Sequence, residues 1–238
     1  MGCNLIVAHH PLLFRGLKSI TGQSYVERCV IKAIQKGIGI YAAHTNLDNA
    51  EGGVNYRIAE TLGRSDLAFL EAKPGDVAAG SGVVGMLPAE VDERAFLERV
   101  KALFGIRCIR HNQLCGRKIR RVALCGGAGG FLLSRAIEQG ADAFLTGEMR
   151  YHDFFGHEGE LLIAEMGHYE SEQYTIDLFA DVLGRQFPEL KIVKTRNNTN
   201  PINYLLFYGK RHQERSAGIY CGREAEIIVS VAGYLLGD

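Results

Sequence analysis

Along this chain the apolar positions switch repeatedly between two periods. Asn4 to Ala8 (NLIVA) is a short unbroken apolar run, the pattern of a strand buried on both faces. From Ser24 to Lys36 the period changes. Val26, Cys29, Val30, Ala33 and Ile34 fall at helical spacing, with Ser24 as the expected N-cap and Gly37 as the stop. Ile38 to Ala43 returns to strand, so these three segments predict a parallel, right-handed βαβ unit. Gly53 to Leu62 predicts a second helix.

The stretch Glu71 to Ser81 (EAKPGDVAAGS) is small, polar and rich in breakers, which predicts a linker. Beyond it the pattern predicts a strand at Gly82 to Leu87, a helix at Asp92 to Phe104, and strands at Ile106 to Arg110 and Ile119 to Cys125. A helix at Phe131 to Gln139, strands at Ala143 to Thr146 and Leu161 to Glu165, and a helix at Glu172 to Phe187 follow. Alternation of this kind predicts an α/β protein with mostly parallel sheets. The expected organisation is a first α/β half over residues 1–70, a linker at 71–81, a second α/β half over 82–208, and a tail of unassigned structure at 209–238.

Composition narrows the function classes. With 27 Lys+Arg against 27 Asp+Glu, and no run of five or six like charges, the chain lacks the footprint of a general nucleic-acid binder. No apolar stretch is long enough to span a bilayer, so no membrane partner is expected. The six cysteines, Cys3, Cys29, Cys108, Cys115, Cys125 and Cys221, contain no C-x-x-C pair, which argues against a zinc knuckle and a redox motif. Cys29 and Cys125 lie inside apolar patterns and read as buried thiols, so a reducing compartment, the cytoplasm, is the expected location.

Three clusters place metal-competent side chains just past the C-terminal ends of predicted strands, where α/β folds gather their ligand sites. They are His9-His10, His44 to Asp48, and His168 to Glu172. Neighbouring side chains on a strand face opposite ways, so His9 and His10 share one site only where the strand has just ended. Glu172 lies at i+4 from His168 and joins it on one face if a helix begins there. The rival reading makes Ser171 the N-cap of the following helix, with Glu172 complementing its dipole.

His9, His10, Asp48, His168 and Glu172 are too many ligands for one tetrahedral zinc but suit two metals sharing a carboxylate. Histidine and carboxylate without thiolate fit two divalent ions of zinc, iron, manganese, cobalt or nickel. Such a pair activates water, which is hydrolytic chemistry. Glu148 and His152, after the strand ending at Thr146, are the candidates for moving protons. The glycine run Gly126 to Gly130 admits a phosphate cradle, but lacks the dinucleotide fingerprint because Leu132 stands where a glycine is needed; close packing is the favoured reading.

The segments LIVAHHPLLFRGLK, HTNLDNAEGGVN, ALCGGAGGFLLSRAIEQGADAFLTGEMRYHDFF and MGHYESEQYT resemble the YbgI-like family, whose members bear the name GTP cyclohydrolase 1 type 2 homolog. The resemblance runs from about Asn4 to Tyr204. It implies two divalent metals on the positions of His9, His10, Asp48, His168 and Glu172, with Asp48 and Glu172 able to bridge, His44 lying beside the site without being a ligand, and homohexameric rings. Family members normally carry further strands ahead of the HH motif, and many carry a PII-like insert between the halves. By the same comparison the first half here lacks its opening strands, and the insert is replaced by the 71–81 segment. Together these readings give a dinuclear metal-dependent hydrolase of a nucleotide-like or cyclic amidine small molecule. The alternative is a non-catalytic metal-binding scaffold, a metal-delivery protein or a regulatory protein.

Overall fold

The structure is a computed structural model and describes residues 3–206 and 229–230. The expectation for 209–238 lies outside the described residues apart from Val229–Ser230. In chain order the elements are β1 (Leu5–Ala8), α1 (Tyr25–Gln35), β2 (Gly39–Ala42), α2 (Thr45–Asp48), α3 (Val54–Thr61), β3 (Ser65–Lys73), β4 (Asp76–Asp92) and α4 (Glu93–Phe104). There follow β5 (Arg110–His111), β6 (Lys118–Cys125), α5 (Leu133–Glu138), β7 (Ala143–Thr146), β8 (Leu162–Glu165), α6 (His168–Glu172), α7 (Thr175–Gln186) and β9 (Val229–Ser230). One 3-10 turn, Gly130–Leu132, leads into α5, and another, Tyr151–Phe154, follows β7.

The predicted βαβ unit is present. β1 pairs in parallel with β2, Leu5 opposite Gly39, and with β9 on its other side. Ser24 caps α1 as its sequence position suggests, its Oγ accepting from the Glu27 amide at 3.2 Å.

The second sheet has the order β3-β4-β6-β7-β8-β5. Its centre, β6-β7-β8, is parallel, while the pairings of β3 with β4, β4 with β6 and β5 with β8 are antiparallel. Every residue of β7 is buried, so the sheet is covered on both faces. Because successive side chains point to opposite faces, the central strands feed two cores. Val122, Leu124 and Leu145 pack with Ile58, Phe96, Val100 and Phe104 on the α3 and α4 side. Ala123, Phe144 and Ile163 pack with Leu132 and Ala136 on the α5 side. Each fully buried Leu, Ile or Phe contributes about 1.5–3 kcal/mol relative to exposure. These two cores therefore carry the fold. The first sheet adds a smaller cluster of Val7, Ala43 and Phe179, through which it packs onto α7.

Three sequence expectations change. Residues 71–81 are not a linker but the paired ends of the β3–β4 hairpin, with Glu71 opposite Ser81 and Ala72 opposite Gly80. The second sheet accordingly begins at Ser65. The strand expected at Ile106 to Arg110 reduces to Arg110–His111. Ile106 is buried instead as the residue after the left-handed Gly105 that ends α4, its amide bonded to the Lys101 carbonyl. The helix expected from Glu172 to Phe187 begins only at Thr175, as α7, and Glu172 instead ends the short α6 that starts at His168.

Candidate metal centre

The C-terminal ends of the parallel strands in both sheets meet at one place. His9 and His10 follow β1, His44 follows β2, Gly126 and Gly127 follow β6, Glu148 follows β7, and His168 follows β8 after Met166 and Gly167. α6 starts at His168 and carries Glu172 one turn on, so the i+4 reading is the one the fold adopts. Ser171 is not an N-cap; it lies inside α6, its hydroxyl donating to the His168 carbonyl at 2.7 Å and accepting from the Gly127 amide at 2.9 Å.

All five expected ligands converge. His10 Nε2 lies 3.3 Å from Glu172 Oε2 and 3.2 Å from His168 Nε2, and His168 Nε2 lies 3.3 Å from the same Glu172 oxygen. His9 Nε2 lies 3.4 Å from Asp48 Oδ1 and 3.6 Å from Glu172 Oε2. Glu172 thus belongs to two triads, one with His10 and His168 and one with His9 and Asp48, each with its ligand atoms within 4.8 Å of one another. A third triad is His9, His10 and His44. His44, which the family resemblance places beside the site without making it a ligand, is brought to ring-centroid distances of 5.4 Å from His9 and 5.2 Å from His10.

The donor atoms fit a cation. His9 Nε2, Asp48 Oδ1 and Glu172 Oε2 are buried and have no hydrogen-bond partner. Orphaned buried polar atoms are costly, and coordination would satisfy all three together. The electrostatics agree. Burial opposes ionisation of Glu172, yet the adjacent imidazoles of His168 and His9 hold its pKa at about 2. Burial pushes Asp48 up to about 6, against the pull of His9 and with the help of the neighbouring Glu172 charge. His168 is raised to about 9, chiefly by Glu172, with burial opposing and Glu148 adding. For His9, burial opposes protonation but Glu172 and Asp48 prevail, and the pKa is raised. A cation would replace the protons now shared in this cluster, and the His and carboxylate set suits first-row divalent ions.

The surroundings fix which ring nitrogens face inward. A carbonyl only accepts, so the 2.8 Å contact of His9 Nδ1 with the Ala43 oxygen places the proton on Nδ1 and leaves Nε2 for the cluster. The Glu148 carboxylate does the same for His168, accepting from Nδ1 at 2.7 Å. Two supports were not legible as such in the sequence. Asn55, 1% exposed on α3, donates to the Asp48 carbonyl at 2.9 Å and accepts from the Gly126 amide at 2.8 Å, so one side chain ties the Asp48 turn to the glycine loop. Its only signal is a polar residue at a buried helix position. Gly127 has φ +59°, and a Cβ there would sit 2.3 Å from Glu172 Oε1. The loop amides of Gly126, Gly127 and Gly129 bond to Asn55, Ser171 and Thr146, which makes the run a packed floor rather than a phosphate cradle.

A cavity of about 880 Å³ opens beside the cluster, reached by His10, His168 and Glu148 and walled by the 11–17 loop. His152 is exposed, its ring edge-on to Tyr151, and is not among the residues lining this cavity.

The sequence of the Duf34/NIF3 (NGG1p interacting factor 3) family matches residues 1–201. The chain belongs to this family. A GTP cyclohydrolase 1 type 2 homolog of Lactococcus lactis is 38% identical over 208 residues, covering 84% of this chain and 77% of that protein. A Clostridium perfringens protein of the same name is 30% identical, covering 86% and 79%. Among solved structures, a Staphylococcus aureus hypothetical protein, SA1388, superposes with TM-score 0.78 at 25% identity, covering 85% of this chain and 80% of that one. The Bacillus cereus protein related to NIF3 has the same fold, with TM-score 0.76, 22% identity and coverage of 86% and 84%.

Proposed function

We propose that this Duf34/NIF3 protein is a metal-dependent hydrolase that holds two divalent ions on His9, His10, Asp48, His168 and Glu172 and opens a nucleotide-like or cyclic amidine ring. The observation that carries this reading is the convergence of three buried donor atoms without hydrogen-bond partners, on His9, Asp48 and Glu172, in a cluster whose His10 and His168 line a substrate-sized cavity. The printed name of the bacterial relatives, GTP cyclohydrolase 1 type 2 homolog, supports the reaction class.

When bound, paired divalent ions supply a water activated near neutral pH and stabilise developing negative charge. The protein does the rest. Glu172, shared between two triads, and Asp48 hold the ligands in place. Ala43 and Glu148 keep Nε2 of His9 and of His168 turned inward. Glu148 also lines the cavity, so it is the carboxylate placed to pass a proton to the ring nitrogen released when a C–N bond is hydrolysed. His152 has no part in this scheme.

The test is metal analysis together with hydrolysis of GTP and related rings. About two divalent ions per chain are expected. Activity should be abolished by a chelator, restored by added metal, and absent in Asp48→Ala. Turnover indifferent both to chelation and to Asp48→Ala would overturn the proposal. Tight metal binding with no turnover would favour a metal-holding scaffold.

A further inference from the structure

Phe14 is a large apolar side chain of the cavity that burial does not explain. It is 68% exposed, above Leu13 and Ile202 in the same lining. Leaving a phenyl ring in water forgoes the gain that burial would give. Its place is nevertheless defined. Phe14 stands four residues beyond His10, in the loop that Pro11 opens, and its ring centroid lies 5.6 Å from that of His44 at an interplanar angle of 87°. The His10 ring is 6.5 Å away at 39°. An edge contact with His44 thus holds the ring where it lines the cavity beside the candidate ligands.

A wall that only excludes water needs no aromatic group, since aliphatic side chains such as Leu12 and Leu17 in the same lining serve that purpose. An exposed aromatic face offers something more, offset stacking with a flat π-system at centroid separations of about 4.5–7 Å. A ring stacked on Phe14 therefore lies about as far from it as His10 does. The polar part of the lining includes the Asn200 amide, the Tyr204 phenol, the His168 imidazole and the Glu148 carboxylate, donors and acceptors together. That mixture fits the edge of a nitrogen heterocycle and not a hydrocarbon chain. It sets no condition on charge or phosphate elsewhere in the molecule.

Resting on the hydrolase reading for the nature of the ring, we propose that Phe14 is the stacking platform of the site, on which a flat nitrogen heterocycle of the substrate lies beside His10 and His168. Phe14 neither takes nor gives a proton. It sets where the ring stands, so its loss acts on binding rather than on the chemical step.

The chain contains no tryptophan, so Phe14→Trp places one fluorophore at the platform. Titrating the full chain, zinc-loaded and metal-free, with guanosine, adenosine, cytidine and uridine should quench that emission saturably for at least one of them. Calorimetry with the same nucleoside gives the size of the effect. Phe14→Leu keeps an apolar side chain but removes the π-face, and should weaken binding roughly 5- to 150-fold, the range for one base on one aromatic ring. Phe14→Tyr should retain binding. If the nucleoside is also hydrolysed, Phe14→Leu should raise KM and leave kcat unchanged. Equal binding by wild type and Phe14→Leu, or no quenching by any of the four nucleosides, would overturn the proposal. The native mass of Phe14→Leu should equal that of wild type; dissociation would assign the ring to a contact between copies and overturn the platform. Metal content and chelator-sensitive turnover test the hydrolase reading separately. Phe14-dependent binding in a chain that takes up no metal would remove that reading alone, whereas metal uptake and turnover indifferent to Phe14→Leu would remove the platform alone.

Discussion

Gly127→Ala isolates the contribution of the glycine floor to the cluster. The new Cβ would stand 2.3 Å from Glu172 Oε1 and 3.4 Å from His168 Nε2, at a backbone φ of +59°. The backbone strain of a non-glycine residue in this region costs about 1–3 kcal/mol. The clash adds a second effect. Glu172 is 3% exposed, and its Oε2 is within 3.6 Å of the ring nitrogens of His9, His10 and His168, so its carboxylate has no new position that preserves those contacts. It must shift by roughly 1 Å to reach ordinary contact distance, a displacement of the size that matters in a preorganised site. Loss of metal affinity of about 10–100-fold is expected, the range found when the groups that hold ligands are altered.

Gly105→Ala is the control. Its φ is +62°, and a Cβ there meets nothing within 4 Å. It should show the backbone cost alone, a fall in melting temperature of roughly 2–4 °C per kcal/mol for a chain of this size, with unchanged metal affinity. Zinc affinity by competition with a chromophoric chelator, and thermal denaturation of the metal-free proteins, read the two effects separately. Wild-type affinity in Gly127→Ala would refute the reasoning, as would equal loss of affinity in Gly105→Ala.

Other outcomes follow from the same geometry. In the metal-free protein His168 has its pKa raised to about 9, above its ordinary value of 6.5, by Glu172 foremost and Glu148 as well, with burial opposing. That stabilisation is complete below pH 6.5 and is lost as pH rises through about 9. Metal-free melting temperature should therefore fall across this window, with His9 acting in the same direction, and His168→Gln should flatten the fall. Asn55→Ala leaves the Gly126 amide and the Asp48 carbonyl without their buried partner. It should cost about 1–3 kcal/mol in urea denaturation and weaken metal binding; unchanged binding would show that the Asp48 turn is held by other contacts. His152→Ala should leave hydrolysis within about twofold of wild type, since surface changes away from a site are nearly neutral; a large loss would restore His152 to the mechanism. Native mass spectrometry should give six times the chain mass of 26.2 kDa for the ring that the family resemblance implies, and a monomer would remove the hexamer.

The buried centre of the fold was readable because burial on two faces leaves a strong mark. Ala143–Leu145 and Val122–Cys125, the inner part of β6, are apolar without interruption, and the helices flanking them repeat at helical spacing. The hairpin at 71–81 was misread because glycine has two meanings. Gly80 is not a breaker there. A Cβ at Gly80 would lie 2.6 Å from the Phe69 ring, so the residue is small to let an aromatic side chain cross the strand beside it. Composition records the missing side chain and not the neighbour that requires its absence.

The same asymmetry divides the site. Its candidate ligands were legible because histidine and carboxylate are few, chemically distinctive, and fall at strand ends that a parallel topology brings together. Their supports are Gly127, Ser171 and Asn55, residue types that sequence patterns ordinarily assign to turns and caps. Each acts through a long-range contact, at a sequence separation of 44 for Gly127 with Ser171 and 71 for Asn55 with Gly126. Local periodicity cannot encode a partner at that separation. The chemistry of this centre is therefore written in its own residues, whereas its geometry is set by small side chains whose purpose exists only once the two sheets have met.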